Sequence, residues 1–447
     1  MCAQALPPGM EGGSIAAPAG AWEAGERKQA EDMARVDVIV LGAGIVGTSA
    51  ALHLAKRGLA VALLDRRKPG EETSYGNAGV IGGAGVYPTP FPRSFRTLLR
   101  VAFKRAPQAN YHFAALPRLA PWLAAYFAAS TPGRLEATAR AMRPLMARSV
   151  AEHEALLTES AALIYLRKDG WISLYRTESG FEQLKPQLTL GAELGVRFDV
   201  LQPEGAVALE PSLAPVFRHA VFWPDIASVS NPLAVTRAYA TRFAALGGVL
   251  LTGDARSLHR QGGHWRVETA EGPVDASDVV VALGPWAPDV LEPLGISLPL
   301  AVKRGYHRHY CARGNAGLTR PVVDADIGYA LAPMQQGIRL TTGAEFADRD
   351  APPTPVQFDR LMPHAQALFP LSDPVEAQPW MGSRPCFPDM RPVIGQAPGQ
   401  PGLWLDCGHN HFGLTLGPVT GRLLADMITG ATPFCDPVPF AAERFSA

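Results

Sequence analysis

The sequence predicts an α/β protein in which a domain with a central parallel sheet is interleaved with an α+β domain whose sheet is mixed or antiparallel. Three observations support this fold class. Residues 36–41 form an apolar, β-branched run that is interrupted only by Asp37, which is typical of a strand buried on both faces. A glycine-rich turn, a helical pattern and a second apolar run at 60–64 follow it directly. Residues 304–346 instead alternate between polar and apolar side chains, as antiparallel strands beside a cavity do.

The composition limits the classes of protein to which the chain can belong. Its 447 residues suggest two or three domains of about 150 residues each. Basic and acidic residues are equal in number, at 41 each, so no net charge attracts a nucleic acid, and none is expected as a partner. The five cysteines are scattered without a CxxC motif, so no metal site is expected.

The sequence also indicates where the protein resides. Its N-terminus lacks the basic, apolar and small-residue order of a secretory signal. The most apolar later stretch, 119–129, is far shorter than the roughly 20 residues that cross a bilayer. We therefore expect a cytoplasmic protein without a membrane span. Residues 1–35 lack apolar periodicity and are expected to form a mobile extension or an upstream stretch that is not translated.

The turn after the first strand reads GAGIVG over residues 42–47. In a Rossmann-like dinucleotide-binding unit, the first glycine makes the tight turn, the second lets the backbone approach a pyrophosphate, and the third packs helix on strand. Gly42, Gly44 and Gly47 stand at these three positions. Because strand, glycines, helix and second strand occur in register, we predict a dinucleotide site here.

Neighbouring residues extend this predicted site. Ile45 and Val46 begin the helix, whose free N–H groups and positive dipole end face the phosphates in such units. Asp65 ends the second strand about twenty residues after the glycines, where a carboxylate accepts hydrogen bonds from ribose hydroxyls. Arg66 follows and could suggest a 2′-phosphate, but Asp65 would repel one. We expect a dinucleotide with a free ribose.

Four further segments carry a more specific pattern. They read TSYGNAGV at 73–80, VVVALGPW at 279–286, MGSRPCFPDMRPVIG at 381–395 and GHNHFGLTLGP at 408–418. Together with the glycine turn, they resemble the FAD-dependent D-amino acid oxidase and glycine oxidase superfamily, and are nearest to the bacterial D-amino acid dehydrogenases. The chain departs from the usual family pattern at Leu283, where Thr or Ser is common, and at Phe387, where Thr is common.

The resemblance implies FAD as cofactor and assigns further residues to it. In addition to the glycine turn and Asp65, the residues implied to contact FAD are Ser74, Asn77, Ala78, Gly79, Ala282, Gly284, His409, Gly413, Leu414 and Thr415. A helix starting near Pro418 at its N1 position is predicted to place N–H groups near the flavin ring. A surface turn of small residues at 73–80 is the alternative reading of that loop.

Four residues are candidates for binding the substrate. Arg384 lies in a rigid stretch between glycine and proline residues, and its guanidinium offers two parallel donors that suit a carboxylate. An internal salt bridge is the alternative. Tyr306 and Tyr329 are candidates to complete a carboxylate clamp, although plain sheet packing explains either equally well. His411 is a further candidate, for which a role as hydrogen-bonded scaffolding is the alternative, and no catalytic base is expected.

The resemblance implies oxidation of the Cα–N bond of an amino acid, with hydride transfer to flavin N5 and an imino acid as product. A D-amino acid is the expected substrate. A secondary amine such as a D-proline derivative, sarcosine or glycine is the alternative within this class, and the electron acceptor is a quinone or oxygen. Two other classes stay open, namely a non-catalytic FAD-binding subunit of an electron-transfer complex and an NAD-linked dehydrogenase.

The region 90–130 combines basic and apolar residues in a helical pattern. It contains the cations Arg93, Arg96, Arg100, Lys104 and Arg105. Such a helix can lie on an anionic membrane, which predicts peripheral contact with the inner face of a membrane. A solvated basic face that caps the substrate domain is the alternative.

The motifs also divide the chain into predicted domains. The FAD-binding domain comprises 36–88, 228–298 and 375–432, with a helix near 145–160 joining it. The substrate-binding domain comprises 89–227 and 299–374, and residues 433–447 form a tail.

Overall fold

The computed structural model describes residues 35–82 and 87–445. The extension predicted over residues 1–35 therefore lies outside the described residues, except for Arg35 at the start of the first strand. Within the described ranges, no helix is both long and apolar enough to cross a lipid bilayer.

The strands follow one another along the whole described chain. In chain order they are β1 Arg35–Leu41, β2 Val61–Asp65, β3 Val80–Ile81, β4 Ala109–Tyr111, β5 Leu166–Arg167, β6 Trp171–Tyr175, β7 Asp199–Leu201, β8 His219–Trp223, β9 Ala227–Val229, β10 Val249–Thr252, β11 His259–Gln261, β12 His264–Thr269, β13 Gly272–Val281, β14 Ala301–Ala312, β15 Val322–Asp324, β16 Tyr329–Met334, β17 Gly337–Thr341, β18 Ala344–Phe346, β19 Leu371–Pro374, β20 Trp380–Cys386, β21 Val393–Gln396 and β22 Leu403–Cys407.

Helices connect these strands and cover the sheets. In chain order they are α1 Ile45–Ala55, α2 Phe95–Ala102, α3 Leu116–Ala129, α4 Pro132–Glu159, α5 Glu178–Glu193, α6 Pro203–Leu209, α7 Pro232–Ala245, α8 Ala287–Leu291, α9 Gln357–Leu368 and α10 Gly413–Ile428.

The first sheet has a parallel centre. Strand β1 pairs in parallel with β2 on one side and with β13 on the other, β10 extends the sheet beyond β2, and β22 pairs in parallel with β13. Strands β11, β12 and β21 add antiparallel pairs at the edge. Alternate residues of β1 enter different cores, since Val38 and Val40 lie in one and Ile39 and Leu41 in the other. This burial on both faces explains why Val38, Ile39, Val40 and Leu41 are all apolar.

The second sheet is mixed and predominantly antiparallel. Its strands run in the order β4-β18-β14-β17-β16-β15-β6-β8-β7, and β19 and β20 also pair with the long strand β14. A small third sheet joins β3, β9 and β5. The predicted fold class, with a parallel cofactor sheet and a mixed second sheet, is confirmed. The predicted domain boundaries stay a prediction.

The two faces of the second sheet have different neighbours. Directly paired residues share a face, and the register places Lys303 opposite Arg384, Gly305 opposite Gly382, and His307 opposite both Trp380 and Thr341. We call this face the cavity face. The opposite face packs Tyr306, Tyr329 and Leu340 against helix α9.

Helix α10 closes the first sheet by packing on α1. A Cβ on Gly421 would lie 2.7 Å from the backbone nitrogen of Ala50, and one on Gly417 would lie 3.2 Å from the Ile45 carbonyl oxygen. The two backbones therefore approach through glycines. Helix α4 contributes Leu145 and Leu156 to the same core.

Candidate functional site

A cavity of about 610 Å³ lies between the carboxyl ends of the parallel strands and the cavity face of the second sheet. Strands β1, β2, β13 and β22 all end at its wall, where open parallel sheets bind their ligands. The predicted site residues that line it are Gly42, Gly44, Ile45, Val46, Asp65, Arg66, Ser74, Asn77, Ala78, Ala282, Gly284, Tyr306, Arg384, His409, His411, Gly413, Leu414 and Thr415. Gly47, Gly79 and Tyr329 are not part of this lining.

The glycine turn has the close contacts that its spacing predicts. Gly42 has a φ of +103°, and a Cβ there would lie 2.6 Å from the carbonyl oxygen of Ala282. A Cβ on Gly47 would lie 1.9 Å from the carbonyl oxygen of Gly42. Gly47 therefore stands behind the turn, where it permits α1 to pack closely, and it does not face the cavity.

Two side chains fix the N-terminus of α1 at the cavity. The Ala43 N–H donates to Asp65 Oδ2 at 2.7 Å, and the Ile45 N–H donates to Ser74 Oγ at 2.9 Å. A Cβ on Gly44 would come within 3.3 Å of Ser74 Oγ, so it would fill the space in front of the helix. The chain thus keeps a backbone-lined cradle at a helix N-terminus, which is a favourable place for phosphate groups.

The loop at 73–80 is held by its own polar side chains. Asn77 Oδ1 accepts from the Gly79 N–H at 2.9 Å, and Asn77 Nδ2 donates to the His411 carbonyl at 3.4 Å. Gly79 has a φ of +76°, and a Cβ there would meet the carbonyl oxygen of Val229 at 2.4 Å. Gly79 therefore shapes the loop from behind, whereas Asn77 and Ala78 line the cavity.

The last helix begins five residues earlier than predicted. Helix α10 starts at Gly413, and Pro418 lies inside it instead of at N1. Proline has no N–H to donate to the carbonyl four residues before it, which belongs to Leu414. That carbonyl instead lies 2.6 Å from His153 Nε2. A side chain from α4 thus replaces the missing helical bond, and α10 presents its first turn to the cavity.

Arg384 lines the cavity from the second sheet. Its Nη1 donates to the Gly343 carbonyl at 3.0 Å and its Nη2 to the Thr342 carbonyl at 3.3 Å. Within residues 35–82 and 87–445, no carboxylate lies within ion-pair distance of this guanidinium. Burial lowers the pKa of Arg384, but the group stays charged at neutral pH. The structure therefore provides a charged guanidinium that is not paired with a protein carboxylate.

The structure does not bring the Tyr306 hydroxyl to Arg384. This hydroxyl donates to Glu345 Oε1 at 2.6 Å and accepts from the Thr354 N–H at 2.8 Å. Arg304 pairs with the same carboxylate, so the hydroxyl belongs to a buried ionic network behind the sheet. Tyr306 borders the cavity, but its hydrogen-bonding group is already used.

Tyr329 lies away from the cavity. Its hydroxyl donates to the His364 carbonyl at 3.3 Å, in the core between β16 and α9. The next residue of the strand, Ala330, lines the cavity instead. Both tyrosines are on the face opposite Arg384, because side chains of a strand alternate between faces. The predicted carboxylate clamp of Arg384 and a tyrosine is not formed.

The two histidines of the last loop have different surroundings. His409 is buried, with Nε2 3.0 Å from Thr420 Oγ1 and 3.3 Å from Asp406 Oδ1. His411 faces the cavity, where its desolvation and the charges of Arg384 and Lys303 lower its pKa to about 3. His411 is therefore neutral at physiological pH and cannot form an ion pair with a substrate carboxylate.

Sequence reasoning missed several parts of the cavity wall. Trp380 lines it, and a Cβ on Gly76 or on Gly382 would lie 1.7 or 2.2 Å from the Trp380 ring. The indole thus lies over two glycines from separate segments. Near Asp65, the Arg66 guanidinium stacks on Trp286, 4.5 Å from the ring centre. No periodic pattern in the sequence indicates these two tryptophans, because Trp380 is the first residue of β20 and Trp286 directly precedes α8.

The residues present fit FAD. The cradle of Gly44 and Ile45 would hold its diphosphate, Asp65 would accept from a ribose hydroxyl, and the first turn of α10 at Leu414 and Thr415 would face the flavin ring. The Thr415 hydroxyl donates to the Val80 carbonyl at 2.9 Å, which joins this turn to the loop after β2. The cavity volume lies within the range of small-molecule and cofactor sites.

Known proteins show the same arrangement along almost the whole chain. The family model described as "FAD dependent oxidoreductase" matches residues 37–427. A D-amino acid dehydrogenase from Chromohalobacter salexigens is 30% identical over 420 residues, which cover 92% of this chain and 100% of that protein. A D-amino-acid oxidase from Bradyrhizobium diazoefficiens is 28% identical over 416 residues, which cover 91% of this chain and 98% of that protein.

Solved structures agree with the sequence relatives. The crystal structure of glycine oxidase from Geobacillus kaustophilus superposes with a TM-score of 0.71 at 26% identity, and the match covers 92% of this chain and 99% of that one. The predicted resemblance is thereby confirmed. From the glycine cradle, the parallel sheet and these matches together, we conclude that the chain belongs to the DAO family of FAD-dependent oxidoreductases.

Proposed function

We propose that this enzyme oxidises the Cα–N bond of a D-amino acid to an imino acid, which water then hydrolyses. FAD supplies the redox chemistry, since its flavin ring accepts a hydride. The observation that carries this proposal is Arg384, a guanidinium in the cavity wall without a carboxylate partner among the described residues. It supports recognition of an α-carboxylate by charge-assisted hydrogen bonds.

The surroundings of Arg384 also suit the amino group of the substrate. The charges that act most on His411 in the cavity wall are two cations, Arg384 and Lys303. A positive environment disfavours an ammonium ion and favours the neutral amine. Only the neutral amine has the nitrogen lone pair that assists loss of hydride from the adjacent carbon. The residues of this chain thus orient the acid and lower the amine's affinity for a proton, and no side-chain base is required.

The relatives support an amino acid of D configuration. Those compared above are named D-amino acid dehydrogenase and D-amino-acid oxidase, at 30% and 28% identity. The test is an anaerobic titration of the purified holoenzyme in which bleaching of the flavin absorbance is followed. D- and L-alanine, D- and L-proline, glycine and sarcosine form the substrate panel. We expect bleaching by D-alanine and none by L-alanine. Bleaching by the L enantiomer alone, or by sarcosine alone, would contradict the proposal.

Replacing Arg384 tests the assignment of the carboxylate site. Arg384→Met should lower kcat/KM roughly ten- to hundredfold, since a hydrogen bond to a charged group is worth about 1.5–3 kcal/mol. Arg384→Lys should recover part of this loss, because a charge remains without the bidentate geometry. The flavin spectrum reports whether FAD is still bound. Normal turnover by Arg384→Met with bound FAD would show that the carboxylate binds elsewhere.

We also propose that the segment around α2 docks on an anionic lipid surface. Phe95, Phe103 and Phe113 are 75, 69 and 68% exposed, and α2 has no buried residue. Lys104 lies beside the apolar side chains, with Nζ 4.9 Å from the centre of the Phe113 ring. Exposed aromatic rings next to cations match a membrane with acidic headgroups. This location favours a membrane quinone over oxygen as the electron acceptor.

Vesicle flotation tests the docking surface. At low salt the holoenzyme should float with vesicles that contain phosphatidylglycerol and stay behind with pure phosphatidylcholine. Phe95→Ser combined with Phe103→Ser should abolish flotation, because two of the three exposed rings are lost. Val438→Ser, which removes an exposed apolar residue near the C-terminus, is the matched control and should float as before. Equal flotation of the double variant and the parent protein would refute the docking surface.

A further inference from the structure

Arg339 is a buried arginine on β17 that reaches from the second sheet to the loop at 73–80. Its Nη1 donates to the Tyr75 carbonyl at 3.0 Å and to the Asn77 carbonyl at 2.5 Å. The guanidinium carbon also lies 5.6 Å from the centre of the Tyr75 ring. One guanidinium therefore holds two carbonyls of the same loop, which stand two residues apart.

The charge of Arg339 is not compensated by a direct ion pair. In the part of the chain that the structure describes, no carboxylate lies within ion-pair distance of it. Burial lowers the pKa of Arg339 to about 10, so the group stays charged at neutral pH. A buried charge is costly unless hydrogen bonds compensate it. An apolar side chain of similar volume would avoid this cost, so packing alone does not explain an arginine at this position.

Two further side chains fix the orientation of the guanidinium. Arg339 Nε donates to His309 Nε2 at 3.0 Å, from the directly paired position of β14. His309 Nδ1 is hydrogen-bonded to Glu376 Oε1, and the backbone N–H of His309 donates to Glu376 Oε2 at 2.8 Å. Burial and the charge of Arg339 lower the pKa of His309, so the ring is neutral at physiological pH. Nε2 is therefore the acceptor, and Nδ1 carries the proton that is donated to Glu376.

The loop that Arg339 holds forms one side of the nucleotide cradle. Ser74 Oγ accepts from the Ile45 N–H at the start of α1, and the Asn77 N–H donates to the Ser74 carbonyl at 3.4 Å. Ser74, Asn77 and Ala78 line the cavity. Arg339 is not part of this lining, so it contacts the loop from behind. The shape of this cavity wall thus depends on a side chain of the second sheet.

We propose that Arg339 is a positioning residue for FAD. It holds the backbone of the loop at 73–80 in the shape that keeps Ser74 at the start of α1. His309 and Glu376 act through Arg339, because they orient its guanidinium toward the loop carbonyls. The inference concerns retention of the cofactor, so it does not depend on which amine the enzyme oxidises.

Equilibrium dialysis of the holoenzyme against graded concentrations of free FAD tests this role. Arg339→Met should raise the dissociation constant of FAD by roughly tenfold or more, because hydrogen bonds from a charged donor are lost. Arg339→Lys should recover part of the loss, because an ammonium can still donate to the loop carbonyls. Arg143 is the matched control, since it also donates to two carbonyls, those of Leu194 and Gly195, in a turn outside the cavity lining. Arg143→Met should leave the dissociation constant unchanged.

Substitutions of His309 separate hydrogen bonding from packing. His309→Gln provides an amide oxygen that can accept from Arg339 Nε, whereas His309→Phe fills the space of the ring without an acceptor. We expect the dissociation constant of FAD to rise by roughly tenfold in His309→Phe and by less than roughly threefold in His309→Gln. If His309 only packed against its neighbours, phenylalanine would replace it better than glutamine, and the order would be reversed.

Two results would overturn the inference. One is an FAD dissociation constant in Arg339→Met that stays within about twofold of the parent value. The other is equal FAD affinity in His309→Phe and His309→Gln, which retain Arg339 and therefore decide the question if Arg339→Met does not fold. All of these measurements are made without an amine. If no amino acid bleaches the flavin, the proposed function fails and the role of Arg339 is still tested.

Discussion

Gly305 provides the space in which the Arg384 side chain crosses β14. A Cβ at this position would lie 2.1 Å from Arg384 Nη2 and 2.5 Å from its Cζ. The guanidinium therefore lies flat over a strand that has no side chain at that point, and it reaches the carbonyls of Thr342 and Gly343 on the far side. A glycine in the middle of a strand weakens the strand, so its presence here has a specific steric reason.

Gly305→Ala should displace Arg384 without removing it. The new methyl group would overlap the guanidinium, so we expect KM for the amino acid to rise by roughly tenfold while FAD stays bound. Steady-state kinetics and the flavin spectrum measure the two effects separately. Gly133→Ala is the control, since a Cβ there meets nothing within 4 Å. An unchanged KM in Gly305→Ala would show that Arg384 does not contact the substrate.

The sequence predicts the position of some residues at the cavity and not that of others. Arg384 could be identified because an arginine in a stretch of glycines and prolines has few local partners. The positions of Tyr306 and Tyr329 could not be predicted, since β14 and β16 are each largely buried on both faces. In the sequence, Arg304 and Tyr306 resemble residues with polar groups that face a cavity. In the structure, the polar groups of both side chains are bound to each other and to Glu345, which is distant in the chain.

Helix α10 shows how one element depends on another. Pro418 leaves the Leu414 carbonyl without its helical donor, and His153 of α4 lies 2.6 Å from that oxygen. The other ring nitrogen of His153 lies 2.9 Å from the Tyr239 hydroxyl of α7. Burial lowers the pKa of His153 to about 4, so the ring is neutral and needs both partners. Three helices thus meet behind the flavin end of the cavity.

His153→Phe should destabilise the protein by about 1–3 kcal/mol, because it leaves the Leu414 carbonyl buried without a donor. Pro418→Ala restores an N–H four residues after that carbonyl. We therefore expect the double variant to be more stable than His153→Phe alone, as measured by urea unfolding of the holoprotein. Additive effects of the two substitutions would exclude the replacement of the helical bond by His153.

Elements with local signals could be predicted and the others could not. The first strand, glycine turn, helix and second strand were predicted in order, because their pattern is contiguous and each residue type has its own local reason. The sequence predicts that α10 starts at Pro418, since proline favours the first turn of a helix. The compensating histidine is far away in the sequence, and no local pattern indicates it.

The whole molecule is held together by pairings that are distant in sequence. Val40 of β1 pairs with Val280 of β13, and Lys303 of β14 pairs with Arg384 of β20. The composition of the strands predicts that two sheets exist, but the order of strands in the second sheet depends on these contacts. That order, which the sequence does not reveal, decides which face of β14 borders the cavity.

The protein should lose stability in acid because several histidines are buried and neutral. Burial is the main cause that lowers the pKa of His53 to about 3, of His153 to about 4 and of His307 to about 2. Below pH 6.5 the unfolded chain binds protons at these sites and the folded chain does not, so stability falls as pH decreases. Each site should cost about 2 kcal/mol at pH 5 relative to pH 8.

Urea unfolding of the holoprotein between pH 8 and pH 5 measures this loss. Replacing a buried histidine with an uncharged residue, as in His53→Gln, should flatten the dependence of unfolding free energy on pH. The exposed His259 is the control, and His259→Gln should leave the slope unchanged. Stability that is constant over this range would show that the buried histidines are protonated in the folded protein.

The packing of α10 on α1 has a consequence for the order of events during synthesis. The glycine cradle is synthesised early in the described chain, but its supports follow much later, first β13 and then β22 and the glycine face of α10. A nascent chain that ends before residue 413 would carry the complete nucleotide motif and still be unable to retain the cofactor. We therefore expect firm capture of the flavin to wait until α10 has been synthesised and can pack on α1.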